Sequence, residues 1–260
     1  LKTKSCNVPE KVSRGVEGNS RKYSETPANI ATLVNNYFTS IFTNDPDTSI
    51  DPSTIGDNIS LLEDVVLTPG DVANGLRTLD KDKAHGPDGI PARLLTETAS
   101  QIAPSLCQLF NKSLRIGVVP FDWKLANVVP AHKKGDQEFV ENNRPISLLS
   151  LVSKILERCV FNTIKDHIFC RINPCQHGFL PGKNCVTQLI EVFDKIGKQL
   201  DRGKQIDVIY LDMSKAFDKV SHKRLLFRLR EFGFGGNILN WFRPTRSSST
   251  NNHPRCNIFT

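Results

Sequence analysis

From Thr26 onward, apolar side chains recur at helical spacing. Ile30, Leu33, Val34, Tyr37, Phe38 and Ile41 fall on one face, as a 3.6-residue period requires of a helix that buries one stripe. The spacing predicts a helix starting near Thr26 and Pro27. A second is expected from Thr68, whose hydroxyl suits a helix cap, with Pro69 at the first helical position and Val72, Leu76 and Leu79 as its buried stripe. The same period predicts helices over 104–114, over 147–168 (through Leu148, Val152, Ile155, Leu156, Cys159 and Val160), over 186–200 and over 221–232. The last is expected to bury Leu225, Leu229 and Phe232 and to stop at Gly233, which tolerates the left-handed conformation.

Strand signals are fewer. Residues 125–129 make a short one, and the uninterrupted apolar run from Ile206 to Leu211, after Gly203, is the strongest in the chain. The remaining stretches show neither period. Residues 1–23 are polar and basic and read as a disordered linker or tail, 44–58 as a loop rich in Asp, Pro, Ser and Thr, and 243–260 as a polar tail foreign to the fold. With no internal repeat and no phosphate-binding glycine fingerprint, the class is α+β and helix-rich.

A hydrophobic share of 38% beside 23% charged residues supports a packed core. The 34 Lys and Arg outnumber the 27 Asp and Glu, and the resulting charge of +7 favours an anionic partner such as nucleic acid. No run approaches the roughly 20 apolar residues that span a bilayer, and residues 1–10 lack the apolar centre of a signal peptide. The expectation is an intracellular protein whose reading frame begins before Leu1. The seven cysteines form no Cys-x-x-Cys pair and read as free thiols. Cys170, Cys175, His177 and Cys185 are a zinc set in residue type, but their spacing matches no common finger.

Three segments carry candidate chemistry, and a fourth stands out by its shape. Asp212 lies where the expected strand gives way to a turn, and a carboxylate there either ligates a divalent ion or caps that turn. Nucleotidyl transfer needs carboxylates at such a point, because two magnesium ions activate a 3'-hydroxyl and stabilise the leaving pyrophosphate. Phe217 is either a core ring or a screen beneath a nucleotide sugar that excludes a 2'-hydroxyl. Upstream, a strand leading into Lys133-Lys134-Gly135-Asp136, with Arg144 beyond it, would set Lys133, Lys134 and Arg144 around a triphosphate; solvated turn residues are the alternative. In Gln176-His177-Gly178-Phe179-Leu180-Pro181-Gly182-Lys183 the glycines permit close backbone approach and the lysine can meet phosphate, unless the segment is an ordinary helix-linking turn; His177 reads as structural. Gly86-Pro87-Asp88-Gly89-Ile90-Pro91 is a rigid turn beside Lys81, Lys83 and His85, with no evident chemistry of its own.

Taken in order, these segments resemble the reverse transcriptases, or RNA-directed DNA polymerases, of LINE-type non-LTR retrotransposons. The resemblance runs from Tyr23 to Phe242. It is carried by Lys83 to Pro91, Trp123 to Asp136, Asn143-Arg144-Pro145-Ile146-Ser147-Leu148-Leu149 with Lys154-Ile155-Leu156-Glu157-Arg158, Gln176 to Phe179, and Leu211-Asp212-Met213-Ser214-Lys215-Ala216-Phe217-Asp218. It implies a partial right-hand polymerase fold: a helical extension over 24–66, fingers over 67–203 and the start of the palm, its sheet incomplete, over 204–242. It implies further that Asp212 is a catalytic ligand for Mg2+, that Phe217 screens the sugar, and that Lys133, Lys134 and Arg144 face the triphosphate. Gly86, Pro87, Asp88, Gly89, Gln176, Gly178, Phe179, Lys183 and Asp218 would touch template or primer or hold the motifs in shape. The implied partners are an RNA template, a DNA primer and deoxynucleoside triphosphates, and the implied place of action is the nucleus.

The departures are as specific as the match. Members of the family continue with Gly-x-Pro-Gln-Gly and an aromatic-Ala-Asp-Asp hairpin; this sequence has neither, and no Asp-Asp pair anywhere. One Asp cannot hold two divalent ions. The expectation is a truncated or decayed copy, without thumb or endonuclease, that does not polymerise alone. A non-catalytic nucleic-acid-binding remnant and a group II intron-like or domesticated reverse transcriptase are the alternatives.

Overall fold

The computed structural model describes residues 12–14, 22–24, 27–41, 61–213 and 215–243, so the expected loop over 44–58 and the tail from 244 lie outside the described residues. Within the stretch expected to lack order, Val12–Arg14 (β1) and Lys22–Ser24 (β2) pair antiparallel. The chain falls into two compact units, 1–161 with 217–260, and 162–216.

In the larger unit, the first expected helix is α1 (Pro27–Ile41). Its Ile30, Val34, Tyr37 and Phe38 are buried together with Val140, and Leu33, Ile41 and Val128 pack at the margin. Each such side chain contributes roughly 1.5–3 kcal/mol on full burial, so this cluster decides what α1 lies against. Helix α2 (Pro69–Arg77) starts as its sequence requires. The Thr68 hydroxyl accepts from the Asp71 amide at 3.2 Å, and the Asp71 carboxylate accepts from the Thr68 amide at 2.9 Å. The Thr68 hydroxyl also donates to the Asp71 carboxylate, at 2.7 Å, and that bond, with the one from the Thr68 amide, holds the Asp71 carboxyl below its ordinary pKa. The helix ends at Arg77, which leaves Leu79 outside it and half-buried.

Helices α3 (Ala92–Glu97) and α4 (Ala99–Ile116) follow. The latter begins five residues before the expected start and carries Pro104 inside it. Proline forfeits one backbone bond there, but Ala99, Ala103, Cys107, Phe110 and Leu114 extend a buried stripe across it. Burial of that stripe outweighs the lost bond. The Asn111 amide then ties α4 to the segment before α2: its Oδ1 accepts from the Leu67 N–H at 2.8 Å and its Nδ2 donates to the Leu67 carbonyl at 2.9 Å.

The expected strand is present and longer, as β3 (Ala126–His132), and it pairs antiparallel with β4 (Asn143–Leu149). Here the expected helix over 147–168 is corrected, since residues 147–149 belong to β4 and α5 runs over Leu151–Phe169. Leu148 and Leu149 suit either element, and pairing with Asn127 and Ala126 settles it. Pro130 stands opposite Pro145. A two-stranded ribbon has only edge strands, so neither proline interrupts an interior ladder.

Helix α7 (His222–Glu231) is capped by the Ser221 hydroxyl, and Gly233 takes φ +84 just beyond it. Leu225, Leu229 and Phe232 are half-buried, not buried as expected. A short helix that periodicity did not reveal, α8 (Gly236–Phe242), buries Ile238, Leu239, Trp241 and Phe242. Its Trp241 ring N–H donates to the Ser113 hydroxyl at 3.1 Å, which itself donates to the Val118 carbonyl at 2.6 Å.

The smaller unit holds α6 (Cys185–Leu200), as expected, capped by a reciprocal Asn184–Thr187 pair. The strand expected over 206–211 is absent: residues 204–213 have no regular structure, and Ile209, Tyr210 and Leu211 are 82%, 86% and 85% exposed. A strand exists only by pairing, and no described segment pairs with this one. An apolar run alone does not supply a partner.

Candidate nucleotide and nucleic-acid interface

The β3–β4 hairpin is the best-defined candidate. Ala131 is paired with Arg144 and His132 with Asn143, and the Lys133 amide donates to the Asn142 carbonyl at 2.8 Å, carrying the ladder one step further. Cross-strand partners share a face, and side chains alternate along a strand. Lys133, Ala131 and Arg144 therefore stand on one side of the ribbon, with Val129, Ile146, Asn127 and Leu148. Asn143, Leu149 and Val128 stand on the other, the first two buried and the third packed against the α1 cluster. The α1 side anchors the hairpin and leaves Arg144 and Lys133 exposed together on the opposite side. Lys134 follows in the turn, beyond the ladder.

That turn is closed from within. Gly135 takes φ +81, and a Cβ on it would lie 2.7 Å from the Asn142 side-chain nitrogen. Asn142 donates to the Asp136 carbonyl at 2.8 Å, the Asp136 carboxylate accepts from the Glu138 amide at 3.1 Å, and Asn143 donates to the Phe139 carbonyl at 3.0 Å. The two lysines thus sit at the mouth of a loop whose shape its own asparagines maintain.

The Gly86–Pro91 turn, chemically silent in the sequence, has a mechanical place. A Cβ on Gly86 would lie 2.4 Å from the Ser150 nitrogen and 2.5 Å from the Leu149 carbonyl carbon. The buried Ser150 hydroxyl donates to the Asp88 carboxylate at 2.6 Å, and Gly89, at φ +66, donates to the Gly86 carbonyl at 3.2 Å. The turn is clamped on the joint between β4, which bears Arg144, and α5. Only a glycine fits at 86. On α5, burial pushes the Glu157 carboxyl up to about 7, with Lys154 and a Ser153 hydrogen bond opposing, and pushes the Cys159 thiol up to about 11.

In the smaller unit His177 is buried. Its Nδ1 lies 2.8 Å from the Thr187 hydroxyl and its Nε2 2.7 Å from the Glu191 carboxylate, both on α6. This agrees with a structural histidine. Hydrogen bonds from Lys195 and His177, in that order, hold the Glu191 carboxyl down at about 2. Lys183, expected either to meet phosphate or to belong to an ordinary turn, donates to the carbonyls of Pro174 and Gln176, closing its own loop. Cys170, Cys175 and Cys185 are free and exposed. Gln176 and Gly178 are exposed, and Phe179 is 89% exposed at φ +63.

Asp212 is corrected from the end of a buried strand to an exposed position on an unpaired segment. Among the described residues no group of three or more His, Cys, Asp or Glu side chains converges as an ion site, zinc included. The described residues therefore do not fit a two-ion centre. Phe217, in the turn over 215–219, is 62% exposed, so it is not a core ring; Asp218 beside it is half-buried. No described helix is long and apolar enough to cross a membrane.

The described residues are thus helix-rich, with a two-stranded antiparallel ribbon, β3–β4, that exposes Arg144 and Lys133. Residues 131–259 match the family model described as reverse transcriptase (RNA-dependent DNA polymerase). Over 164 residues the chain is 29% identical to the probable RNA-directed DNA polymerase from transposon BS of Drosophila melanogaster, covering 62% of this chain and 18% of the relative. The polymerase from mobile element jockey of the same fly is 31% identical over 63% of the chain and 18% of its own length. The Pol polyprotein from the type-1 retrotransposable element R2 of Popillia japonica is 27% identical over 65% and 23%. The chain thus carries, over 131–259, a reverse transcriptase domain region related to the enzymes of non-LTR retrotransposons. It spans roughly a fifth of the length of these relatives. The family as a class is an RNA-directed DNA polymerase with nucleic-acid substrates and a divalent metal.

Proposed function

We propose that this chain is part of a non-LTR retrotransposon reverse transcriptase whose complete form copies RNA into DNA from deoxynucleoside triphosphates. In that reading 24–66 is the helical extension, 67–203 the fingers and 204–242 the start of the palm of a right-hand polymerase, with 1–23 and 243–260 outside them. The observation that supports it most is that one side of the hairpin bears both Arg144 and Lys133, exposed, inside the segment matched to the family. A guanidinium there offers two parallel donors to a phosphate, and an ammonium beside it adds a point charge. Lys134, in the turn beyond the ladder, is assigned the lesser role.

Binding of a fluorescent deoxynucleoside triphosphate tests this. Arg144→Ala is expected to weaken it roughly tenfold or more, Lys133→Ala less, and Lys134→Ala by under about twofold. An equal loss from both lysine variants would sink the assignment of faces.

Asp212 is proposed as one ligand of the complete protein's two-ion centre, with Phe217 beneath the incoming sugar. The 260 residues hold no Asp-Asp pair, and the described ones no ion site, so primer extension by this chain with magnesium is expected to yield no product. Asp212-dependent synthesis would overturn that. The missing ion site also favours a second reading, a chain that binds nucleic acid without catalysis. Affinity for RNA should then fall steeply with salt, as phosphate contacts demand.

A further inference from the structure

Helix α6 has two unlike faces. On one, Glu191 accepts from Lys195 and lies 2.7 Å from the His177 Nε2, and Lys195 reaches the Cys175 thiol at 3.9 Å, so the loop before the helix covers that face. The other carries Val186, Leu189, Ile190, Phe193, Gly197 and Leu200, which fall within about 100° of one another around a helix of 3.6 residues per turn. Its five apolar side chains are 52–65% exposed, and no charged residue falls among them.

Gly197 is the residue of this face that the fold does not explain. A glycine inside a helix weakens it relative to alanine, and a Cβ at 197 would meet nothing within 4 Å among the described residues. A missing side chain there admits the close approach of a second surface, and the same stripe supplies the ring to fill the gap. Phe193 lies two residues before Lys195 and Gly197 two after, while Ile190 lies five before and Leu200 five after. Two α6 helices laid antiparallel about Lys195 therefore set Phe193 of each over Gly197 of the other, and Ile190 beside Leu200, in an isologous contact. Laid parallel, they would set ring against ring and gap against gap. The flank agrees in charge. Asp194 and Lys198, bonded to each other at 2.6 Å, lie one residue before and three after the same centre, so each acid stands about 3 Å along the axis from the base of the other copy.

We propose that the apolar side of α6 is the surface on which this chain pairs with a second copy of itself, antiparallel, with the ring of each copy seated on the glycine of the other. The five side chains expose on the order of 100 Å² each, so the pair hides roughly 1,000 Å², the low end of specific interfaces. A contact of that size gives a reversible dimer with a Kd on the order of 10–100 μM, and well below that concentration the chain is a monomer. The pairing does not rest on the reading of the chain as part of a polymerase.

Sedimentation equilibrium of the full 260-residue chain from about 2 to about 300 μM, with a thiol reductant that keeps Cys170, Cys175 and Cys185 from cross-linking, tests this. Wild type is expected to pass from monomer to dimer. Phe193→Asp should weaken pairing at least about tenfold, since it buries a charge. Gly197→Leu should weaken it about tenfold as well, because the seat is filled, while its melting temperature holds or rises, leucine being the better helix former. A face that is merely sticky would pair more tightly in that variant. The double variant Phe193→Gly with Gly197→Phe exchanges ring and seat about the same centre and should return to within about threefold of wild type. A wild-type chain that stays monomeric at the highest concentration, a Gly197→Leu chain that pairs as tightly as wild type, or an exchange that fails to recover pairing would each overturn the proposal. Flotation of a monomeric chain with phosphatidylcholine vesicles would make the face a lipid contact, and the proposal would fall.

Discussion

Helices α4 and α6 are of similar length, 18 and 16 residues, and both carry apolar side chains at helical spacing. Their fates differ. Helix α4 buries Phe110 completely, with Ala99, Ala103, Cys107 and Leu114 almost so, against α2, α3 and α8. Helix α6 has no buried residue, and its stripe of Val186, Leu189, Ile190 and Phe193 is 52–65% exposed. In the whole smaller unit the buried described residues are Ile164 and His177. Periodicity specifies which side of a helix seeks cover, not whether a neighbour supplies it. The larger unit is a folded core, whereas in the smaller the end of α5, a loop and α6 are held mainly by polar contacts among the described residues.

Paired substitutions can break that contrast. The largest effect is expected from Phe110→Ala, which empties a fully buried site and should cost about 3–5 kcal/mol in urea unfolding. Phe193→Ala on α6 should stay within about 0.5 kcal/mol of wild type. Comparable losses would mean that α6 has cover after all.

Two glycines provide the next comparison. Gly86→Ala drives a Cβ to within 2.4–2.6 Å of the backbone of Leu149 and Ser150, and about 1–3 kcal/mol of destabilisation is expected by the same measurement. Gly178→Ala meets open space and should change stability by less than about 0.5 kcal/mol. A tolerated Gly86→Ala would refute the clamp on the β4–α5 joint.

The smallest effect depends on pH. Burial raises the Glu157 carboxyl from 4.5 to about 7 in the folded chain, so the fold holds a proton that the unfolded chain releases. That contribution is complete below 4.5 and is lost as pH rises through 7. Glu157→Gln, which carries no charge to desolvate, should therefore melt a few degrees higher than wild type at pH 8, at about 2–4 °C per kcal/mol, with the difference vanishing near pH 4. A pH-independent difference would assign the effect to packing instead.

Much of the larger unit was legible in the sequence because its signals are local. The Thr68–Pro69 start, the α1 stripe and the stop at Gly233 each depend on a few neighbouring residues. Three features were not legible, for distinct reasons. Helix α8 is seven residues long, too short for a period to emerge, and its burial comes from contact with α4. β4 contains a proline and two leucines that suit a helix, and only its register with β3 settles it. The strand expected over 206–211 has the composition of a strand and no partner among the described residues.

The candidate site divides in the same way. The sequence by itself determined the residue types, their order and hence the family, because side-chain chemistry and spacing need no third dimension. Only tertiary structure decided that Lys133 continues the β3–β4 ladder on the side of Arg144 while Lys134 falls in the turn beyond it, since pairing register sets that phase. It also gave Gly86 and Asp88 a joint to hold, turned Lys183 inward on its own loop, and left Asp212 without companion carboxylates among the described residues. Each of these depends on residues distant in the chain, and contact between distant residues is what folding adds.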